Sequence, residues 1–437
     1  MSNLKSDNPV SSHIKSMVIM YLGLPKEVYV LFFGKLISCI GAFIYPLLTL
    51  ILTQKLRLSV STASKFIAFN LVCQLICVLI GGKLVDTIGR KKVMVIFPSL
   101  SALFYIICGI IHTSKILIVF IFLASMIASL ASSSYDSMIA DVTDESTRKA
   151  SYSLIYMGLN LGYAVGPLLG GFLFKNYFPL IFYGDGITTL ASSLLAFFML
   201  KETYDVKNHR SISNLSPEPD INKPSLETAE KGSIFKVLIK RPILIYYFIL
   251  TTAFSFTYSQ LIFSLPIRLQ ELFGDNSSVL FGAITTVNGL IIMFFTPLIT
   301  LLTKKVRIIT AISLGALLYS VGFTMFGSSN RLIIFYSAIT IISFGEIAIS
   351  TNSGTLINNL TPASHRGRIN AIMPLSYNIG NILGTTIMGS LIGTLGTSFP
   401  FYCVGLVVFF ASILTYLLNY IKVTPDKDSS DISLKSI

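Results

Sequence analysis

Apolar residues do not alternate along this chain; they run together. From residue 28 onward, stretches of roughly 20 apolar residues, each long enough as helix to cross about 30 Å of hydrocarbon, follow one another with short polar interruptions. They fall at 28–53, 63–85, 93–112, 116–138, 151–174 and 180–200. After a long break they resume at 242–265, 280–303, 308–327, 331–353, 369–393 and 399–421. Closed β-barrels need short segments of alternating polarity, whereas these runs are apolar on most faces. The pattern predicts an all-α membrane protein of twelve transmembrane helices, six and six.

The break opens KETYDVKNHRSISNLSPEPDINKPSLETAEKGS and is charged and rich in Pro, Ser and Asn, the composition of a flexible linker. It divides the chain into an N-terminal segment 1–27, a six-helix bundle 28–200, a linker 201–241, a second bundle 242–421 and a tail 422–437. The halves also repeat. A shift of 218 positions, without a gap, lays Arg148 on Arg366, Asn160 on Asn378, Gly162 on Gly380, Gly166 on Gly384 and Gly171 on Gly389. Spans five and eleven are therefore expected to be equivalent members of two parallel six-helix repeats around a central site.

Composition agrees with burial in lipid. Of 437 residues 53% are hydrophobic and only 12% charged, with mean hydropathy +0.75; soluble domains carry roughly one-quarter charged residues. The net charge of +13 invites a nucleic-acid reading, but the positions of the charges argue for topology instead. With the N-terminus inside, 25 of the 33 Lys and Arg lie in inner segments and 7 in outer ones, Lys35 being within the first span. This asymmetry orients both termini to the cytoplasm. Residues 1–27 lack the features of a cleavable secretory signal, so the first span is expected to remain as an anchor; Met17–Leu24 reads as an interfacial helix or a structured lead-in. Cys39, Cys73, Cys77, Cys108 and Cys403 all fall in spans without metal-ligand spacing, and read as free thiols packing as small hydrophobes.

Two motifs stand out. Between spans two and three lies GKLVDTIGRKK, Gly82 to Lys92. Gly82 permits close helix approach, Asp86 can attract a helix N-terminus or an Arg, Gly89 suits the turn, and Arg90 and Lys91 hold the loop inside. Span five carries GLNLGYAVGPLLGG, in which Gly158, Gly162, Gly166, Gly170 and Gly171 form a ladder of small residues for helix packing and Pro167 removes a helix hydrogen bond. The first motif resembles the signature Gly-x-Leu-Ala-Asp-Arg-x-Gly-Arg-Lys of the major facilitator superfamily, and the second the Gly-x-x-x-Gly-Pro-x-x-Gly-Gly signature of its drug/proton antiporters. The resemblance implies the major facilitator fold, with Gly82, Asp86 and Arg90 contacting the opposite half. Thr87 stands where the family usually has a basic residue, Thr385 replaces the proline in span eleven, and 116–138 lacks the Arg that many of the drug antiporters carry.

An ionisable residue at membrane depth needs a reason, because inserting one costs at least about 2.5 kcal/mol. Glu346, central in span ten, and Lys35, about two turns into span one, meet that test. The resemblance places spans 1, 4, 7 and 10 around the cavity and makes both proton-coupling candidates. Glu346 is otherwise a permanently hydrogen-bonded structural glutamate, and Lys35 a side chain that snorkels to the surface. Asp136 reads as solvated or as a gate contact, and Asp185 as solvated. Tyr258, Gln260, Asn288, Asn160 and Asn378 are candidates for a cavity suited to apolar or cationic organic molecules, or else for hydrogen bonds between helices.

The sequence contains no catalytic, nucleotide-binding, metal or cofactor motif. The expectation is a monomeric multi-pass transporter of the cell membrane, not an enzyme, whose partners are a small-molecule substrate, protons and the bilayer. Export by proton antiport is the reading that the span-five signature implies. A proton-coupled importer of a sugar, peptide or metabolite and a non-transporting sensor or scaffold are the alternatives.

Overall fold

The computed structural model describes residues 21–111, 114–203, 241–303, 306–361 and 366–420. Most of the N-terminal segment, most of the linker and the tail lie outside the described residues, as does the side chain of Arg366. The helices are α1 (Lys26–Ile40), α2 (Ile44–Leu50), α3 (Val60–Ile88), α4 (Arg90–Ile111), α5 (Leu117–Leu130), α6 (Ser132–Val142), α7 (Glu145–Asn176) and α8 (Phe178–Met199). In the second half they are α9 (Pro242–Ile262), α10 (Ser264–Phe273), α11 (Ser277–Thr303), α12 (Ile308–Ser328), α13 (Leu332–Leu360), α14 (Arg366–Leu395) and α15 (Phe399–Leu417). No strand is present among the described residues.

Among the described residues, ten helical stretches are long and apolar enough to cross a membrane. One of them, Pro242–Thr303, has 62 residues and as a single rod would be about 93 Å long. It reverses at Gly274, whose φ of +56° starts the short 3₁₀ turn Gly274–Asn276, and so supplies spans seven and eight. The eleventh apolar run falls in the helix Arg366–Leu395, which is not among the ten.

Several rods are broken or longer than their apolar runs. Span one breaks at Gly41–Phe43 between α1 and α2, and α2 continues through a π-helical turn, Ile51–Lys55. Span four steps at Ala131 between α5 and α6, and span seven at Phe263 between α9 and α10. Span five starts earlier than its apolar run because Asp144 and Thr147 close a capping box there, satisfying backbone donors that the helix would otherwise leave open.

The repeat reappears as equivalent contacts. A methyl on Gly162 would meet Cys39 of span one, and one on Gly380 the Thr252–Phe256 turn of span seven. A methyl on Gly171 would strike the carbonyl of Ser278 in span eight, and one on Gly389 would strike Ser64 in span two. Span five thus bridges to span eight, and span eleven to span two, so the seam between halves has approximate two-fold symmetry. Asn160 and Asn378, paired by the same shift, each donate to the carbonyl four residues back, Tyr156 at 2.8 Å and Pro374 at 3.3 Å.

Candidate functional site

The two halves meet firmly at one end. Gln54 Nε2 donates to Gln270 Oε1 and to Ser277 Oγ, the latter at 3.2 Å, and Ser277 Oγ donates to Gln270 at 2.6 Å. Thr49 Oγ1 donates to the Ile262 carbonyl at 3.3 Å, Ser278 to the Gly171 carbonyl at 2.9 Å, and Lys175 Nζ to Asn276 at 2.7 Å. Every hydrogen bond between described residues of the two halves lies at this end. The glycine contacts Gly282 on the Pro167 carbonyl and Gly289 on Ala164 extend the seam toward the middle. Below it lies a small recess of about 30 Å³, lined from both halves by Tyr45, Thr49, Ile67, Ser259, Asn381 and Thr385.

Between the halves the walls are tyrosine-rich. Tyr45, Tyr163 and Tyr377 are 50%, 40% and 47% exposed, yet lie within electrostatic reach of one another. Side chains from spans one, five and eleven that sense each other and still meet solvent must face a shared opening. The C-terminal wall holds Glu346. Tyr258 Oη donates to its Oε1 at 3.2 Å and Asn288 Nδ2 to its Oε2 at 3.1 Å, while the same amide donates to Ser343 Oγ at 2.9 Å. The Tyr258 ring stacks on Tyr319 with centroids 6.1 Å apart, and Tyr377 also senses the glutamate. Three sequence candidates, Glu346, Tyr258 and Asn288, are therefore one cluster built from spans seven, eight and ten. Gly315 and Gly345 allow spans nine and ten to touch backbone to backbone, which sets the depth at which Glu346 emerges.

Lys35 lies on the other half. Its Nζ sits 5.2 Å from the centre of the Tyr135 ring, and Asp136 is within its electrostatic reach. Asn160 and Asn378 are half-buried and occupied with their own helices.

Gln260, taken from sequence as a cavity candidate, is fully buried. It is bonded to Phe256, Ser259 and Ser264 beside Gly384. The reason is rotational: two residues apart on a helix are about 200° apart, so Gln260 points away when Tyr258 faces inward. Asp185, expected to be solvated, is 7% exposed and accepts the Ile44 N–H at 3.2 Å. It caps the broken end of α2, which the sequence reading missed. The available signal was Asp185 between Gly184 and Gly186, and Gly41 and Pro46 inside one span.

The span two–three loop is tied to the start of the linker and to span four of its own half. Gly89 turns at φ +107°, and the Glu202 carboxylate accepts the N–H groups of Arg90, Lys91 and Lys92 at 2.9, 3.3 and 3.3 Å, neutralising the positive end of α4. Arg90 pairs with Asp141 at 2.9 Å and more loosely with Asp86 at 3.6 Å. Gly82 has Ser133 of span four as its nearest neighbour, so its described neighbour, unlike the expectation, belongs to the same half. In span five, Gly158, Gly162, Gly166 and Gly170 all face span one, at Phe32, Cys39, Ile40 and Phe43, while Gly171 and the Pro167 carbonyl face span eight.

Two helical bundles closed on each other at one end, with tyrosines exposed between them and a hydrogen-bonded glutamate within the second, have the architecture of a membrane transporter. The chain matches the family model "Major Facilitator Superfamily" over residues 31–373 and 282–435, and it belongs to that family. It is 26% identical over 332 residues to a "Na(+), Li(+), K(+)/H(+) antiporter" of Planococcus maritimus, covering 70% of this chain and 75% of that protein. It is 22% identical over 358 residues to "Multidrug resistance protein 2" of Bacillus subtilis (strain 168), covering 81% and 85%. Among solved structures, a POT family transporter in complex with a thioalcohol-conjugated peptide superposes with a TM-score of 0.74 at 16% identity, covering 92% of this chain and 98% of that one.

Proposed function

We propose that this protein is a proton-coupled exporter of small organic molecules that works by alternating access, its two halves rocking about the cavity. The observation that carries the reading is the Glu346 cluster: a carboxylate at the cavity wall, held by one hydroxyl and one amide donor, is placed to exchange a proton with whichever side the cavity faces. In this reading both termini and the linker 201–241 are cytoplasmic, the end closed by Gln54 and Gln270 is the outer end, and the structure is inward-facing. The bundles comprise 28–200 and 242–421, the protein acts as a monomer in the cell membrane, and the loop 82–91 steadies one of the two states. The tyrosines supply flat apolar faces that suit aromatic or cationic guests. The multidrug relative supports the export direction.

A second reading is exchange of a monovalent cation for protons. It is favoured by the antiporter relative and by the oxygens that Glu346, Ser343 and Tyr258 place together, since hard cations prefer oxygen donors.

Reconstitution in proteoliposomes tests both. A pH gradient imposed in each direction, with efflux of a fluorescent organic cation followed in one arm and sodium or potassium movement in the other, is expected to show organic-substrate movement against proton movement. Accumulation with the proton would turn the reading to import. Absence of counterflow with every ligand that raises the melting temperature would leave a sensor.

A further inference from the structure

Span one is severed at Gly41–Phe43, and the severed end is fastened to one face of span six. Gly41 leaves room only for Thr188, Gly184 lies under the Phe43 ring, and between them Asp185 takes the Ile44 N–H at 3.2 Å and also bonds the Phe43 N–H. Beyond the break, Pro46 occupies the first turn of α2, where a missing N–H leaves no gap in the helix. From there α2 and its π-helical continuation carry Tyr45, which faces the cavity, and then Thr49 and Gln54, which bond across the seam to Ile262, Gln270 and Ser277. Beside the end of α7, which meets the second half at Gly171 and Lys175, the first half thus closes the cavity with a short, separate helix whose base is held by a buried carboxylate of span six.

We propose that Asp185 is a positioning residue for the gate: its carboxylate holds α2, and with it the Gln54 contacts, in the closed seat, and its protonation releases them. The proposal rests on the alternating-access reading and adds to it a gate control separate from Glu346. An ionised carboxylate accepts both N–H groups and complements the positive end of the half-helix; a protonated one loses that charge. The titratable groups that sense Asp185 are Cys39 of α1, Tyr105 of α4 and Tyr163 of α7, none of them a cation. The charge on Asp185 is thus met by backbone donors rather than by a salt bridge.

The test is a distance measurement on the full chain with its native cysteines replaced, spin-labelled at Lys65→Cys and Asp275→Cys, one exposed position on each half at the closed end, in a Glu346→Gln background that silences the cavity carboxyl. The long-distance population is expected to grow as pH falls. Asp185→Asn is expected to raise that population at neutral pH by roughly tenfold, the size of losing a hydrogen bond to a charged group, and to abolish its pH dependence. Asp185→Glu is expected to keep the dependence with a displaced midpoint. An Asn variant that responds to pH as its parent does overturns the proposal. If that variant does not fold, an unmoved midpoint in Asp185→Glu overturns it equally. A chain that shows one distance at every pH, with Gln54→Ala also failing to open it, contradicts alternating access itself and is thereby distinguishable.

Discussion

Glu346 is the residue on which the coupling reading turns, and its neighbourhood states what a substitution should do. Glutamine keeps the size and an acceptor oxygen for Tyr258 or Asn288 but cannot carry a proton in and out. Glu346→Gln is therefore expected to abolish gradient-driven transport in proteoliposomes while leaving ligand binding, followed by thermal shift, within about twofold, a change too small to signal loss of a hydrogen bond. Full gradient-driven accumulation by the mutant would remove Glu346 from the mechanism. A second residue-scale prediction lies outside the membrane. Asp144 caps α7, and its carboxyl is pulled down to about 2 by the Ser146 hydroxyl first, then by the N–H and hydroxyl of Thr147. A carboxylate lowered by folding contributes in full above its unfolded value of about 3.9 and loses the contribution as pH falls through the folded one. Protection of the α7 start against hydrogen exchange should accordingly be flat down to about pH 4 and fade toward about 2. In Asp144→Ala it should be low and insensitive throughout.

At the scale of elements, glycine does different work in equivalent helices. A methyl on Gly171 would strike the Ser278 backbone, whereas one on Gly393 would meet open space. Backbone cannot swing aside as a side chain can. Gly171→Ala is thus expected to lower the melting temperature, by the equivalent of about 1–3 kcal/mol for overpacking, and Gly393→Ala to leave it unchanged or raised. Equal melting shifts for the two would show that the span five–eight approach is loose. Much at this scale was legible beforehand. Hydropathy shows the runs because lipid demands them, the 218-residue shift shows the repeat because both halves pack a small-residue face at the same depth, and Glu346 stands out because charge is rare there. What escaped was relational. The break at Gly41–Phe43 needs an acceptor, and nothing in span one says that span six provides it. Tyr258 and Gln260 are neighbours in sequence but face opposite ways in the helix, so a list of polar residues cannot separate cavity from core. The same holds for Tyr45, Tyr163 and Tyr377, which are ordinary interfacial residues until the halves are assembled.

At the scale of the whole molecule, the proposal that the closed contact is a gate rather than simply an interface rests on the asymmetry between the two ends of the seam. The hydrogen bonds between described residues of the halves lie at the end of Gln54, Gln270 and Ser277, while the tyrosines deeper in the cavity remain in contact with solvent. If the halves rock, these contacts must break once per cycle; if the cavity only binds, they need never break. Joining Gln54→Cys to Gln270→Cys with a short, reducible bifunctional thiol reagent separates the cases. The bridged protein is expected to bind ligand from its open side with unchanged affinity, because the bridge lies beyond the cavity, and to lose counterflow to the level of empty vesicles. Reduction should restore it, and each single cysteine variant should be unaffected by the reagent. Counterflow that persists with the bridge intact would mean that substrate passes without parting this end, and a rocking of two rigid halves could not be its mechanism.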